Sequence, residues 1–170
     1  MIHIYIGDGK GKTTAAIGLA IRNLGCKGTV LFAQFLKNSG SGEMNILTKL
    51  DGMTFYRPMM RHKGFIFDLD DDKFKEIKED IGKGFGKIKD IMENKFSLVV
   101  FDEVLDVIDM GFLSEEDVIA VFDKFPATEF VITGRKATQA IKEKADYITV
   151  MKKEKHPYDI GINAREGIEY

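Results

Sequence analysis

An apolar run, Ile2 to Ile6, leads directly into Gly7-Asp8-Gly9-Lys10-Gly11-Lys12-Thr13-Thr14, and strong helix formers follow from Ala15 to Leu24. Strand, glycine-rich turn, Gly-Lys-Thr and helix, in that order, make a phosphate cradle. Glycines let backbone N–H groups converge on an anion, and the helix N-terminus adds the positive end of its dipole. In such a cradle Lys12 reaches the phosphates and Thr13 offers its hydroxyl to Mg²⁺. The usual spacing is Gly, four residues, Gly-Lys-Ser/Thr. Counting back from Gly11 places Ile6 at the first position, so this loop is one residue tighter and starts at Gly7. The motif implies a nucleoside triphosphate and leaves the reaction open.

Strand-length apolar runs recur along the chain: Ile2–Ile6, Thr29–Phe35, Met53–Tyr56, Phe96–Phe101, Glu129–Thr133 and Tyr147–Met151. Several are continuous rather than alternating, as in strands buried on both faces. Helical segments separate them, which predicts parallel βαβ units in an α/β fold. Phe74, Ile77, Ile81, Phe85, Ile88 and Ile91 recur at helical spacing with charges between them, which predicts an amphipathic helix over the sheet. Gly82, Gly84 and Gly86 predict a bend or break within it. Ser114-Glu115-Glu116-Asp117 reads as a capping box before Val118 to Phe122, and Pro126 closes that unit. Lys152 to Lys155 reads as a solvated turn.

The 170 residues, 44% of them hydrophobic, suit one globular domain spanning 1–170. A net charge of −2 argues against a nucleic-acid or membrane-surface binder. No apolar run approaches the ~20 residues that span a bilayer, and no signal peptide is visible, so the expected location is cytoplasmic. Cys26 is the one cysteine. It excludes an intramolecular disulfide and is expected to be a buried, inert thiol near a helix end.

A second site signal is Ser97 to Glu103. Asp102 ends a buried apolar strand, and parallel strands bring their C-terminal ends to the edge that carries the loop. Asp102 can hold Mg²⁺ opposite Thr13, directly or through water, with Glu103 orienting water or substrate. Equally, such a carboxylate can simply end a strand. Arg135, in Thr133-Gly134-Arg135, reads as a phosphate or carboxylate partner or as a solvated arginine. Arg22 and Lys37 read the same two ways. In Arg61-His62-Lys63-Gly64-Phe65-Ile66-Phe67-Asp68, Phe65 and Phe67 fit either the core or an apolar patch for a flat ligand. His62 reads as a surface residue. The stretch from Lys155 to Tyr170 has neither period and reads as a lid or a structured tail.

These segments come in one order: the loop, Gln34-Phe35-Leu36-Lys37, Gly42-Glu43, Gly64-Phe65-Ile66-Phe67, Asp102-Glu103, Thr133-Gly134-Arg135 and the tail. Together they resemble the P-loop family of ATP:corrinoid adenosyltransferases nearly end to end, including the tighter loop. The resemblance implies a three-layer P-loop fold of the RecA-like kind with a mostly parallel sheet. It also implies a homodimer and an electron donor such as a reduced flavoprotein. Where the family commonly has Phe-Thr-Trp after the glycine, this chain has Phe65-Ile66-Phe67. It also starts at its first strand, without the N-terminal extension of some relatives.

The resemblance further implies that Co(I) of a corrinoid, cobalamin or cobinamide, attacks C5′ of ATP and that triphosphate leaves, in adenosylcobalamin biosynthesis or salvage. Co(I) carries no proton, which suits the absence of a general base. Residues 7–14 with Arg22 and Arg135 would bind ATP, Thr13 and Asp102 would hold Mg²⁺, and Phe65 and Phe67 would pack under the corrin ring. Lys12, Thr13, Asp102 and Glu103 would serve catalysis. Two other readings stay open: another P-loop ATPase or kinase, which would release ADP, and a regulatory ATP-binding module without turnover.

Overall fold

A computed structural model describes residues 1–37, 41–58 and 70–169. Among these, one sheet contains β1 (Ile2–Ile6), β2 (Val30–Gln34), β3 (Met53–Tyr56), β4 (Leu98–Asp102), β5 (Glu129–Thr133) and β6 (Tyr147–Val150). The order is β3-β2-β4-β5-β1-β6, and every pairing is parallel. The expected sheet, mostly parallel, is therefore parallel throughout. β5 lies between β1, which feeds the loop, and β4, which ends in Asp102, and this interposed strand gives the RecA-like order. Uniform direction carries the C-terminal ends of all these strands to one edge, which is where ligands bind in such sheets.

The helices are α1 (Lys12–Gly25), α2 (Met44–Leu47), α3 (Asp71–Met92), α4 (Val104–Asp109), α5 (Glu115–Lys124) and α6 (Gln139–Lys144). Every residue of β2 and β4 is buried because both faces are covered. On one face α1 lays Ala16 and Ala20 against Val30, Phe32, Leu98, Val100 and Val131, with Leu47 of α2 beside them. Small side chains let that helix, and the loop before it, approach the sheet closely. On the other face α3 sets Ile77, Ile81, Phe85, Ile88 and Met92 over Leu31, Val99 and Phe101, and α4, α5 and α6 complete the layer. Burying each large apolar side chain contributes about 1.5–3 kcal/mol. That term holds the three layers together.

Two expectations are corrected here. α3 runs unbroken through Gly82, Gly84 and Gly86. Asp70 caps it by accepting from the Lys73 N–H at 2.9 Å, and its buried stripe outweighs the propensity of three glycines. Cys26 is exposed rather than buried. It closes α1, its N–H bonding to the Arg22 and Asn23 carbonyls, and that turn leaves the thiol facing outward. The Ser114 cap is as the sequence predicts, accepting from the Asp117 N–H at 3.1 Å. The tail contains a short 3₁₀ turn, Pro157–Ile160, with every residue exposed.

Candidate active site

The loop folds tightly against the chain leaving β6. The Gly9 N–H donates to the Met151 carbonyl at 2.7 Å, and the Gly7 N–H to the Arg135 carbonyl at 3.0 Å. A Cβ on Gly7 would stand 2.3 Å from the Met151 oxygen, and one on Gly9 2.7 Å from it. Only glycine fits at either position. The Lys12 ammonium curls over the loop and donates to the carbonyls of Gly7 and Gly9, both at 2.8 Å. Burial lowers the Lys12 pKa, and the neighbouring Arg135 charge pushes the same way. Thr13 opens α1 facing β4, whereas Thr14 is exposed.

The carboxylate of Asp102 is the centre of the edge and is fully buried. Its Oδ1 accepts from the Thr13 hydroxyl at 2.9 Å and from the Thr133 hydroxyl at 2.8 Å. Its Oδ2 accepts from Gln34 Nε2 at 3.1 Å, with Thr13 again at 3.2 Å. Thr133 also accepts from the Glu103 N–H at 2.8 Å. Glu103 sits at φ 64°, a left-handed conformation uncommon outside glycine. Burial and then the adjacent Asp102 push its carboxyl up to about 7.

Most of the residues singled out in the sequence therefore meet at one place. Residues 7–13 and Asp102 do so directly, Glu103 follows Asp102, and Arg135 lies near enough that its charge bears on Lys12. Asp8 accepts from the Lys153 N–H at 3.1 Å, and Lys10 pairs with Glu169 at 2.9 Å, so the tail is tied to the loop. Arg22 is not brought to the site. It is exposed in the last turn of α1, roughly 15 Å further along the axis than Lys12 at 1.5 Å per residue. Phe65, Phe67 and His62 lie outside the described residues.

Gln34, Thr133, Glu43 and Arg57 join the site without having been assigned a role from the sequence. One signal was available for Gln34: a polar residue ending a fully buried strand needs a buried partner. Arg57 follows β3 on the same edge and donates to Gln34 Oε1 and, at 3.1 Å, to Ser41 Oγ.

The oxygens of Thr13 and Asp102 suit a hard cation such as Mg²⁺, which takes oxygen ligands and keeps several waters. Among the described residues, no three His, Cys, Asp or Glu gather into a metal cage. Likewise, no described helix is long and apolar enough to cross a membrane.

A profile of the family described as ATP:corrinoid adenosyltransferase BtuR/CobO/CobP matches residues 1–170. The corrinoid adenosyltransferase of Escherichia coli K12 is 30% identical, covering 100% of this chain and 85% of its own length. Corrinoid adenosyltransferase CobA of Salmonella typhimurium is 31% identical over the same shares. The Pseudomonas aeruginosa enzyme of that name is 31% identical over 98% of this chain and 82% of its own. Among solved structures, the cytoplasmic domain of EssC aligns with a TM-score of 0.50 at 16% identity. That alignment takes in 96% of this chain and 35% of the other, and the likeness is one of fold alone.

Proposed function

The chain belongs to the ATP:corrinoid adenosyltransferase family, and from that premise we propose that its loop edge grips a triphosphate which departs whole. ATP and a corrinoid are the substrates of this transferase, which acts in cobalamin biosynthesis or salvage. The Co(I) electron pair forms the bond to the ribose C5′ carbon, the C5′–O bond breaks, and its electrons leave with triphosphate. No oxygen nucleophile has to be deprotonated. The protein aligns the two substrates and stabilises charge on the leaving group.

One observation carries the assignment of roles: the Thr13 hydroxyl is held by the Asp102 carboxylate at the mouth of the loop. Loop N–H groups and Lys12 take the triphosphate oxygens. Lys12 has its present partners, the Gly7 and Gly9 carbonyls, within the loop itself, so an incoming anion meets an ammonium already in place. Thr13 would hold Mg²⁺ through its oxygen. Asp102, which fixes that hydroxyl and receives three side chains in all, would hold the ion with it, directly or through water. Bound there, Mg²⁺ would neutralise charge growing on the triphosphate. Arg135 adds a positive charge beside the loop.

The rest of the reading rests on family resemblance. Phe65 and Phe67 pack under the corrin ring, exclude the lower axial ligand and ease reduction of Co(II) by an electron donor such as a reduced flavoprotein. A cytoplasmic homodimer is the working form. Exposed Tyr147, Ile148 and Val150 on the edge strand, with Tyr158 and Ile160 in the tail, give a second copy an apolar surface to cover.

The test is direct. With ATP, Mg²⁺ and cobalamin reduced to Co(I), the protein should produce the absorbance of adenosylcobalamin. An unchanged corrinoid spectrum contradicts the proposal. Phe65→Ala should slow adenosylation that starts from Co(II) more than adenosylation of pre-reduced Co(I). Equal rates from Co(II) in parent and variant would remove the role given to Phe65.

A further inference from the structure

Two motifs, Gln34 to Lys37 and Gly42-Glu43, have no part in the chemistry above. The fold brings them together. Register places Gln34 beside Asp102, at the ends of adjacent strands β2 and β4. The Gln34 side chain is fully buried, so its amide must find partners within the protein. Its Nε2 donates to Asp102 Oδ2 and to Glu43 Oε1, both at 3.1 Å. Its Oε1 accepts from Arg57. Two carboxylates on one side and a guanidinium on the other leave a single orientation for the amide. Glu43 also receives Lys37 Nζ at 2.8 Å. Arg57 reaches Ser41, next to Gly42-Glu43.

Asp102 is thus clamped from both neighbouring strands. Thr133 of β5 holds Oδ1, and Gln34 of β2 holds Oδ2. With both oxygens engaged, the carboxylate cannot rotate away from the Thr13 hydroxyl without breaking a buried bond. We propose that Gln34 is a positioning residue for adenosyl transfer: its buried amide, braced by Arg57, fixes the Asp102 carboxylate against Thr13 and ties it to Glu43 in the loop after β2. The inference rests on the role given above to Asp102. Gln34 touches neither substrate and acts through that carboxylate.

The experiment is a double-mutant cycle on the full chain, assayed with ATP, Mg²⁺ and cobalamin reduced to Co(I). Gln34→Met keeps the volume and removes both polar ends. It should lower kcat about 10–100-fold, as loss of a residue that orients a metal-site ligand does, with a smaller change in the KM for ATP. In an Asp102→Ala background the same substitution should cost nothing further, because its target is gone. A merely structural role would multiply the two losses. Gln34→Glu, equal in size, covers the case in which the methionine variant does not fold. It sets a carboxylate against Asp102 and Glu43 while keeping an acceptor for Arg57, and should also lower kcat. Parental kcat in a folded Gln34 variant, or losses that multiply, overturns the inference. A crippled Asp102→Ala beside a fully active Gln34→Met overturns it alone. Parental activity in Asp102→Ala overturns the reading of Asp102 as well.

Discussion

Lys12 and Glu103 carry the two charges whose environment most shapes the site. The Lys12 ammonium rests on two carbonyls of its own loop, and burial lowers its pKa. A triphosphate restores what burial takes away, and the interaction strengthens as charge accumulates on the leaving group. Lys12→Ala should therefore lower kcat by about 10²–10³. Steady-state adenosylation checks it, and full turnover would remove the triphosphate assignment. Glu103 behaves oppositely. Burial and Asp102 push its folded-state pKa up to about 7, above an unfolded value of about 4.3. Between those values the unfolded chain gives up this proton while the folded chain keeps it. Stability from Glu103 is therefore full below about pH 4.3, declines as pH rises towards 7 and then levels. Glu103→Gln should flatten that decline, gaining on the parent by on the order of 2–3 kcal/mol between about pH 5 and 8. Urea midpoints across that range measure it, and parallel curves would contradict it.

Among the elements, α3 offers the sharpest contrast. Gly82 and Gly86 have open space where a Cβ would go, whereas a Cβ on Gly84 would stand 2.5 Å from the Cβ of Pro58. Gly82→Ala and Gly86→Ala should each stabilise by about 0.5–1 kcal/mol through helix propensity. Gly84→Ala should destabilise by about 1–3 kcal/mol through overpacking. Thermal melts of the three variants decide it, and a common sign would contradict the packing account. This helix also shows what the sequence makes legible. Its apolar stripe announced a sheet-covering helix, but the glycines suggested a break because Pro58 as a packing partner cannot be inferred from local pattern. The strands were readable to within about two residues, and in β2 and β4 burial on both faces leaves the continuous apolar runs that announce them. Short α4 was not, since six residues after a left-handed Glu103 carry too little period. The loop and Asp102 were readable because local chemistry defines them. The Gln34 clamp was not, because its contact with Asp102 depends on β2 lying beside β4, and strand order is a tertiary fact.

At the scale of the whole molecule, one parallel sheet gathers the loop, Asp102, Gln34, Thr133 and Arg135 at a single edge, and the tail is tied to it through Glu169 and Lys10. Much of that convergence follows from topology, since every strand delivers its last residue to the same side. The edge is equipped to hold a polyphosphate, and Glu103, whose carboxyl burial pushes up to about 7, follows Asp102 there. The tail was the part of the chain least readable in advance, because it has no period that declares its partner. If the triphosphate leaves whole, the phosphorus products of the reaction must show it. Phosphorus NMR of a reaction containing ATP, Mg²⁺ and Co(I) cobalamin should show one intact tripolyphosphate for each adenosylcobalamin formed. ADP with free phosphate, or ATP consumption that does not depend on the corrinoid, would contradict it.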